Sequence, residues 1–298
     1  MENRFQTLDG LIRKGVGGFY TVEAAGAVYV CRARGALRKK RQSPLAGDRV
    51  RITVTDGRSE NTIDEIYPRK NALLRPPVAN IDTLVIVVST SVPRPSAFLI
   101  DKLTALAEYK RMEPAVVFTK TDEEPADALA SIYREAGIAT FCVSNTTGQG
   151  IDDVRAWLCG KISAFTGNSG VGKTSLLNRL APELSLETGE VSEKLGRGRH
   201  TTRQAELFKA CGGYIVDTPG FSALDLERAE WIPKDELASC FREFRPYLDG
   251  CKFTSCSHTC DKGCGVLAAL EAGKIAVSRH QSYVQLYNEV KDKKEWET

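Results

Sequence analysis

The stretch that decides the fold reads Gly167-Asn-Ser-Gly-Val-Gly-Lys-Thr174. It fits the pattern of a glycine, four residues and then Gly-Lys-Ser/Thr, in which consecutive backbone N–H groups curl around a phosphate. The apolar run at 162–166 predicts a buried strand before it, and residues 173–180 predict a helix after it. A helix N-terminus favours an anion, so this context supports the motif. The sequence therefore predicts a P-loop nucleotide site in an α/β fold.

Strands and helices alternate on both sides of this loop. Residues 84–89 form a continuous apolar run, as expected of a strand buried on both faces. Such alternation predicts a parallel sheet with helices on its faces. Further strands are predicted at 115–118, 140–143, 162–166, 205–210 and 214–217, and helices at 96–110, 125–136, 151–158, 173–180 and 278–294.

The base is indicated by the turn Thr119-Lys120-Thr121-Asp122, which closes the strand at 115–118. This turn resembles the Asn-Lys-x-Asp motif of GTPases, whose Asp carboxylate accepts two hydrogen bonds that guanine can donate and adenine cannot. Thr119 stands where Asn is usual, so the bracing hydrogen bond from that Asn to the phosphate loop is in question. Ser144 follows the next strand and fits the first position of the Ser-Ala-Lys loop of GTPases. Together these positions favour guanine.

Two further segments supply candidates for the γ-phosphate and for Mg²⁺. Asp217-Thr-Pro-Gly220 resembles the Asp-x-x-Gly motif, whose Asp holds Mg²⁺ through water and whose Gly amide senses the γ-phosphate. In the polar loop 195–203, Thr202 is favoured over Thr201 as the residue that fastens the loop to Mg²⁺.

The residue after this motif is Phe221, where many GTPases carry a Gln that orients the attacking water. Phenylalanine cannot do this, so we predict slow intrinsic hydrolysis. His200 is the best candidate to position water, and a His that only makes a loop hydrogen bond is the alternative interpretation.

The order of the motifs is rotated, because the base motifs precede the phosphate loop. A circular permutation leaves a site unchanged when the natural chain ends lie close together. The residues expected to contact GTP are Thr119, Lys120, Asp122, Ser144, Gly167, Asn168, Ser169, Gly170, Val171, Gly172, Lys173, Thr174, Ser175, Asp217 and Gly220. The residues expected around Mg²⁺ are Thr174, Thr202 and Asp217.

A cysteine cluster near the C-terminus predicts a metal site. Three thiols and one imidazole fall within fourteen residues, namely Cys251, Cys256, His258 and Cys264. Such ligands make a closed tetrahedral zinc set with no open position for catalysis. Cys260 is a fifth candidate that could displace His258, and Cys240 is interpreted as a buried core residue. Unligated reduced cysteines and an iron–sulfur cluster are the alternatives.

The first seventy residues predict a small basic barrel. They contain 14 Lys/Arg against 8 Asp/Glu. Short strands with glycine-rich connections favour an antiparallel barrel of the RNA-binding OB type; they are predicted at 17–22, 27–32, 49–54 and 61–66. A charge focus attracts polyanions, so Lys39, Lys40 and Arg41 are expected to contact RNA phosphates. A solvated basic loop is the alternative.

The composition excludes several classes of protein. With 42% hydrophobic and 27% charged residues over 298 positions, the chain has an ordinary globular balance and room for more than one domain. The strongly apolar run at 84–88 is far shorter than a bilayer span, and the first residues lack the apolar core of a signal peptide. We therefore expect a soluble cytoplasmic protein.

The barrel, the permuted motifs and the cysteine set together resemble the RsgA (YjeQ) family of small ribosomal subunit biogenesis GTPases. Supporting stretches are Cys31-Arg-Ala-Arg-Gly35, Pro44-Leu-Ala-Gly-Asp-Arg-Val50, Arg75-Pro-Pro-Val-Ala-Asn80, Gly196-Arg-Gly-Arg-His-Thr-Thr202 and Asp217-Thr-Pro-Gly-Phe221. Thr119 and the extra Cys260 depart from the family pattern. The resemblance implies an OB-fold at 1–70, a permuted GTPase domain at 71–222 and a mainly helical zinc-binding domain at 223–298.

The resemblance also implies contact with 16S ribosomal RNA, GTP-dependent binding to the 30S subunit during its late maturation, and GTP hydrolysis stimulated by that subunit. His200 matches the family's proposed catalytic histidine. We expect a monomer with one zinc ion, and Mg²⁺ bound together with GTP. Two rival functions are open. A metabolic P-loop kinase would need a second substrate pocket and a lid, and an RNA-binding scaffold would show no partner-stimulated turnover.

Overall fold

The computed structural model describes residues 5–35, 37, 43–55, 60–73, 76–182, 205–217 and 231–292. The strands are β1 (Phe5–Val16), β2 (Phe19–Ala24), β3 (Ala27–Ala33), β4 (Arg49–Thr55), β5 (Asn61–Ile66), β6 (Ala72–Leu73), β7 (Val78–Ala79), β8 (Thr83–Ser89), β9 (Glu113–Thr119), β10 (Ala139–Cys142), β11 (Ile162–Thr166), β12 (Glu206–Ala210) and β13 (Gly213–Asp217). The helices are α1 (Ala97–Tyr109), α2 (Asp127–Glu135), α3 (Ile151–Leu158), α4 (Lys173–Leu180), α5 (Lys234–Leu237), α6 (Arg245–Leu248), α7 (Gly265–Glu271) and α8 (Val277–Val290).

Two compact units make up the chain. The first consists of Met1–Asp82, Leu158–Ala164 and Ala181–Phe221, and the second of Thr83–Trp157, Phe165–Leu180 and Ser222–Thr298. These units follow contacts rather than motifs, and the division at 70 and 222 stays a prediction. Within the described ranges, no helix is both long and apolar enough to cross a bilayer.

Strands β1 to β5 close into a barrel in the first unit. β1 pairs with β2 and β4, β2 pairs with β3, and β4 pairs with β5, all antiparallel, whereas β3 runs parallel to β5. Alternate side chains point inward and form a core that includes the fully buried Ile12, Val22, Val50, Ile52 and Ile63. Five strands closed in this way form an OB-like barrel, which confirms the predicted N-terminal fold.

The longest strand of the barrel, β1, is not predicted from the sequence, because charged residues and glycines interrupt its apolar pattern. The strand changes partners along its length: Phe5 to Leu11 pair with β4, and Gly10 to Val16 pair with β2. A Cβ atom on Gly10 would lie 2.7 Å from the carbonyl oxygen of Glu23, so the strand can pass this neighbour only at a glycine.

Acidic side chains from other segments of the barrel form ion pairs with several of its arginines. Arg32 lies 3.4 Å from a carboxylate oxygen of Glu60, and Arg34 lies 3.0 Å from one of Asp64. Arg51 pairs in the same way with Asp9 and Glu65. The excess of positive charge counted along the chain is therefore smaller on the described surface of the barrel.

Strands β12, β13 and β11 extend the sheet from β1, whereas β6 and β7 form a separate two-stranded antiparallel sheet. β12 pairs with β1 through Lys14 and Glu206, and it runs antiparallel to β13. β13 in turn runs parallel to β11, with Ile162 opposite Tyr214. The strand that enters the phosphate loop is therefore tied to β13, the strand that ends at Asp217.

In the second unit, β8, β9 and β10 form a parallel array with β9 in the middle. Every residue of β8 is buried, as its apolar run predicts. Helix α1 begins after Ser96, whose hydroxyl oxygen accepts a hydrogen bond from the Leu99 N–H at 3.3 Å. The predicted strands and helices are found here with small shifts at their ends, and the carboxyl ends of the strands carry the loops of the candidate site.

A buried ion-pair cluster joins the C-terminal helices to α1. Arg279 of α8 is 1% exposed. Its Nη1 lies 2.8 Å from Oδ1 of Asp101 on α1, and its Nε lies 2.6 Å from Oε1 of Glu243. Phe244 packs edge-on against Tyr283 of α8 beside this cluster. Buried ion pairs therefore fasten the mainly helical C-terminal segment to α1 within the second unit.

Candidate functional site

The phosphate loop lies between β11 and α4. Gly170 and Gly172 have φ angles of +79° and +84°, which glycine adopts without strain. A Cβ atom on Gly167 would lie 2.5 Å from the carbonyl oxygen of Val87, so no other residue fits where the loop passes β8. Helix α4 begins at Lys173. The backbone N–H groups of the loop and of the first helical turn therefore lie together at the N-terminus of this helix. This arrangement suits a phosphate group.

Thr119 supplies the brace that its identity had put in question. It is fully buried at the end of β9. Its hydroxyl donates to the carbonyl oxygen of Val171 in the phosphate loop at 2.5 Å, with the carbonyl oxygen of Val88 at 3.2 Å. The hydroxyl of Thr90 holds the same turn from the other side, because it lies 2.9 Å from the carbonyl oxygen of Lys120. The bracing hydrogen bond that the sequence left in question is therefore present, with Thr119 as its donor.

Asp122 presents its carboxylate to solvent at the rim of this turn. Hydrogen bonding, chiefly from Ser144, lowers the pKa of Asp122 below its usual value. The carboxylate is therefore ionised at neutral pH and available to accept hydrogen bonds. Ser144 itself is buried, and its hydroxyl oxygen accepts from the Thr147 N–H at 3.0 Å. Asp122 and Ser144 are therefore hydrogen-bonded neighbours, with an ionised carboxylate that faces solvent.

Asn145, which follows Ser144, belongs to none of the motifs recognised in the sequence. Its Nδ2 donates to the carbonyl oxygen of Gly172 at 3.1 Å. Arg179 of α4 donates from Nε to the Asn145 carbonyl oxygen at 3.0 Å and from Nη2 to the Thr146 carbonyl oxygen at 3.1 Å. The base-side loop is thus fastened to the phosphate loop and its helix. A polar amide beside a motif that lacks its usual Asn is the signal that could have pointed to it.

The four predicted metal ligands converge. The ligand atoms of Cys251, Cys256, His258 and Cys264 all lie within 4.8 Å of one another. Nδ1 of His258 is 3.5 Å from both the Cys251 and the Cys264 sulfur, and those two sulfurs are 3.9 Å apart. Tetrahedral zinc, with bonds of about 2.3 Å to sulfur and about 2.0 Å to nitrogen, spaces its ligands by roughly 3.5–3.8 Å. The donor set therefore fits zinc.

The two other cysteines of this region, Cys240 and Cys260, lie outside the four-ligand group. Cys260 is exposed, so the structure keeps His258 in the group rather than replacing it. Cys240 is buried in the core as predicted, and burial raises the pKa of its thiol to about 12. Backbone N–H groups approach the ligand sulfurs instead: Gly265 N lies 3.4 Å from the Cys251 sulfur.

Helix α8 forms hydrogen bonds with the loop that carries the predicted metal ligands. His280 donates from Nε2 to the carbonyl oxygen of His258 at 2.8 Å, and the Tyr283 hydroxyl donates to the carbonyl oxygen of Ser257 at 2.8 Å. Asp261 accepts from the Ser257 N–H at 2.9 Å. These hydrogen bonds were not predicted from the sequence, although His280 and Tyr283 stand three residues apart and so share one face of a helix.

Several predicted site residues lie outside the described residues. They are Lys39, Lys40, Arg41, His200, Thr201, Thr202, Gly220 and Phe221. Asp217 ends β13, where its backbone pairs with Glu206. Lys173, Thr174 and Ser175 occupy the first turn of α4, directly after the glycine loop.

A phosphate loop braced against an Asp-containing base turn, with the base turn earlier in the chain, defines a circularly permuted P-loop GTPase. The family described as RsgA GTPase matches residues 66–227, and the RsgA N-terminal domain matches residues 9–61. The chain belongs to the RsgA GTPase family, a family of GTP hydrolases, as the sequence motifs predict.

Relatives and solved structures agree with this assignment. The small ribosomal subunit biogenesis GTPase RsgA of Geobacillus thermodenitrificans is 44% identical over 292 residues, which cover 96% of this chain and 98% of the relative. YjeQ from Thermotoga maritima superimposes with a TM-score of 0.83 at 34% identity, over 97% of this chain and 100% of that one. YloQ, described as a circularly permuted GTPase, superimposes with a TM-score of 0.81 at 31% identity, over 97% and 96%.

Proposed function

We propose that this protein binds GTP at the braced phosphate loop, hydrolyses it to GDP and phosphate, and uses this cycle on the small ribosomal subunit during its late maturation. One observation carries the nucleotide part of the proposal. The hydroxyl of Thr119, the first residue of the base turn, donates to Val171 of the phosphate loop at 2.5 Å. A hydrogen bond between these two segments fixes the distance between the turn that would bind the base and the loop that would bind the phosphates. A protein that binds one particular nucleotide needs this distance to be fixed.

In the proposed complex, the chain's own groups divide the work. The loop N–H groups and Lys173 bind the β- and γ-phosphates, and Asp122 accepts from guanine. Thr174, Thr202 and Asp217 are the residues we propose around Mg²⁺, which would neutralise charge that develops on the phosphates. His200 would position the attacking water, whose oxygen bonds to the γ-phosphorus as the bond to the GDP oxygen breaks. His200→Ala should then bind GTP but hydrolyse it slowly.

The ribosomal part of the proposal draws on the family and on the barrel. Relatives with about 40% identity carry the name small ribosomal subunit biogenesis GTPase. On the barrel, Phe19 is 42% exposed and the Arg32 guanidinium carbon lies 4.3 Å from the centre of its ring. An exposed aromatic ring beside an arginine can stack on an unpaired base, which supports 16S ribosomal RNA as the partner. We infer that the protein acts in the cytoplasm as a monomer.

We further propose that the four-ligand group holds one zinc ion with a structural role. All four ligand positions come from the chain, so no position remains for a reacting water. The support of the ligand loop by His280 and Tyr283 favours the same role, since second-layer hydrogen bonds orient metal ligands.

The proposal is tested by measuring GTP hydrolysis by the full chain with and without purified 30S subunits. We expect slow turnover alone and much faster turnover with 30S subunits, and no added stimulation from 50S subunits. A chain that binds GTP but shows the same turnover in all three mixtures would favour the rival in which GTP has only a structural part. A Lys173→Ala variant serves as the control for contaminating hydrolases.

A further inference from the structure

We propose that Asn145 is a positioning residue of the nucleotide site, and that Asn145 and Thr119 together brace the phosphate loop. The inference deepens the proposed function, since it concerns the same nucleotide site. In the Asn-Lys-x-Asp motif one residue, the Asn, supplies the brace. Here the brace is divided between two residues of different loops.

The first step is a count of donors. An Asn amide carries two N–H donors, whereas a Thr hydroxyl carries one O–H donor. The single hydrogen of Thr119 is best used at 2.5 Å on the Val171 carbonyl oxygen, because the Val88 carbonyl oxygen lies farther away at 3.2 Å. Thr119 can therefore hold only one carbonyl of the phosphate loop at a time.

The second step concerns the next carbonyl of the loop. Nδ2 of Asn145 donates to the carbonyl oxygen of Gly172 at 3.1 Å. A Cβ atom on Gly172 would lie 2.9 Å from this Nδ2 and 3.6 Å from the Thr119 hydroxyl oxygen, so both side chains approach the loop at the same glycine. Two consecutive carbonyls, of Val171 and Gly172, are thus each fixed by a side chain from a separate loop.

The position of the Asn145 side chain has an energetic cost. Its Oδ1 is buried and has no hydrogen-bond partner in the part of the chain that the structure describes. A buried acceptor without a partner is destabilising. Arg179 fixes the Asn145 backbone carbonyl, so the side chain is aimed at the loop by its own main chain. An amide kept in this position serves the shape of the loop rather than the packing of the core.

The expected consequence concerns nucleotide release. A phosphate loop that is already in its binding shape loses less freedom when the nucleotide binds. Removal of one bracing hydrogen bond should weaken GDP and GTP binding about fivefold, and most of that change should lie in faster dissociation. Asn introduced at position 119 should compensate, because its amide has two donors and can hold both carbonyls.

The experiment is a double-mutant cycle on the full chain with Mg²⁺ and N-methylanthraniloyl GDP. Affinity and dissociation rate are measured by fluorescence for the unmodified chain, Asn145→Ala, Thr119→Asn and the double variant. Gln149→Ala, an exposed position in the same loop, is the matched control. We expect loss in Asn145→Ala, recovery in the double variant to within about twofold, and no change in the control.

The outcomes separate the inference from the proposed function. Equal affinities for Asn145→Ala and Gln149→Ala would overturn the brace while leaving nucleotide binding intact. A double variant as weak as Asn145→Ala, with an unchanged thermal unfolding curve, would also overturn it, because the rescue is specific to shared bracing. Failure of the unmodified chain to bind the probe at all would reject the proposed function itself.

Discussion

The phosphate loop and the C-terminal ion-pair cluster around Arg279 belong to the same compact unit, yet they are held together in opposite ways. Around the phosphate loop the joints are single hydrogen bonds from Thr119 and Asn145, and the Asp122 carboxylate is exposed. In the ion-pair cluster, Arg279 is 1% exposed between two carboxylates. The four predicted metal ligands converge in the same C-terminal segment. Single hydrogen bonds brace the region that is proposed to bind and release GTP, whereas buried charge and the converging side chains of the proposed zinc ligands hold the C-terminal segment together.

The largest expected effect comes from breaking the metal set. Cys256→Ser should remove the zinc, which we expect at about one per chain, and destabilise the C-terminal segment while the phosphate loop still binds nucleotide. The free energy of binding of a structural zinc is on the order of 10 kcal/mol in small zinc domains. Metal analysis, thermal unfolding and binding of a fluorescent GDP measure the three effects.

Cys260→Ser is the matched control, since Cys260 is an exposed thiol outside the ligand group. It should retain the metal. Freshly reduced, unchelated protein without zinc would contradict the assignment, and so would equal metal loss in the two variants.

The next effect comes from the buried arginine. Arg279→Met leaves Asp101 and Glu243 without their cation, and loss of one partner from a buried ion pair costs roughly 3–5 kcal/mol. Arg245→Met is the control, because the Arg245 side chain is 48% exposed and its pair with Glu108 should contribute at most about 1 kcal/mol. Urea unfolding measures both, and similar losses in the two variants would remove the contrast between buried and surface charge.

The same variant should respond to pH in a definite direction. Burial raises the pKa of Asp101, and the Arg279 guanidinium opposes that rise. Without the guanidinium the pKa of folded Asp101 rises further, so the folded state takes up a proton more readily than the unfolded state does. Stability is therefore regained as pH falls. The deficit of Arg279→Met relative to the unmodified chain should be smaller at pH 5 than at pH 7.

A smaller, more selective effect is expected at the base turn. Asp122→Asn should weaken GTP binding at least about tenfold, since it removes charged hydrogen bonds of roughly 1.5–3 kcal/mol each. It should also shift preference towards xanthosine nucleotides, whose 2-oxo group accepts where guanine donates. Competition binding with GTP and XTP checks this, with the exposed Asp127→Asn as the control. Unchanged GTP affinity would show that the turn does not read the base.

The smallest effect per residue is expected on the barrel, where contacts are with solvent-exposed phosphates. Replacement of Lys39, Lys40 and Arg41 by Ala should weaken binding to 30S subunits and lower the slope of log affinity against log salt by about two. GTP affinity of the free protein should stay the same. An unaltered salt slope would move the RNA contact to another surface.

Local spacing was enough to predict much of the site, but contacts between distant segments were not accessible. The glycine loop, Asp122 and the four metal ligands are each set within a few consecutive residues, so their patterns are visible in the sequence. The brace from Asn145 and the clamp from Arg279 depend on pairings across the fold. Arg279 and Asp101, for example, are 178 positions apart.

The same limit explains why strand β1 and the charge of the barrel surface were not predicted correctly from the sequence. β1 shows no clean alternation, because its Gly10 is needed where the strand passes Glu23. The positive charge of the barrel is overestimated from the sequence, because the acidic partners of its arginines, such as Asp64 for Arg34, lie in distant parts of the chain. Charge counted along a chain is a reliable guide to a surface only when neighbours in space are also neighbours in sequence.

The division of the chain into two units has a consequence for how the protein is made. The first unit takes residues 1–82, 158–164 and 181–221, so the chain crosses between the units five times. No single cut can release either unit whole, and neither can be completed during synthesis until residues beyond 180 have emerged. A chain that stops before residue 181 would therefore contain two unfinished units rather than one working domain, and a protease that cuts any one crossing would divide the residues of at least one unit between two fragments.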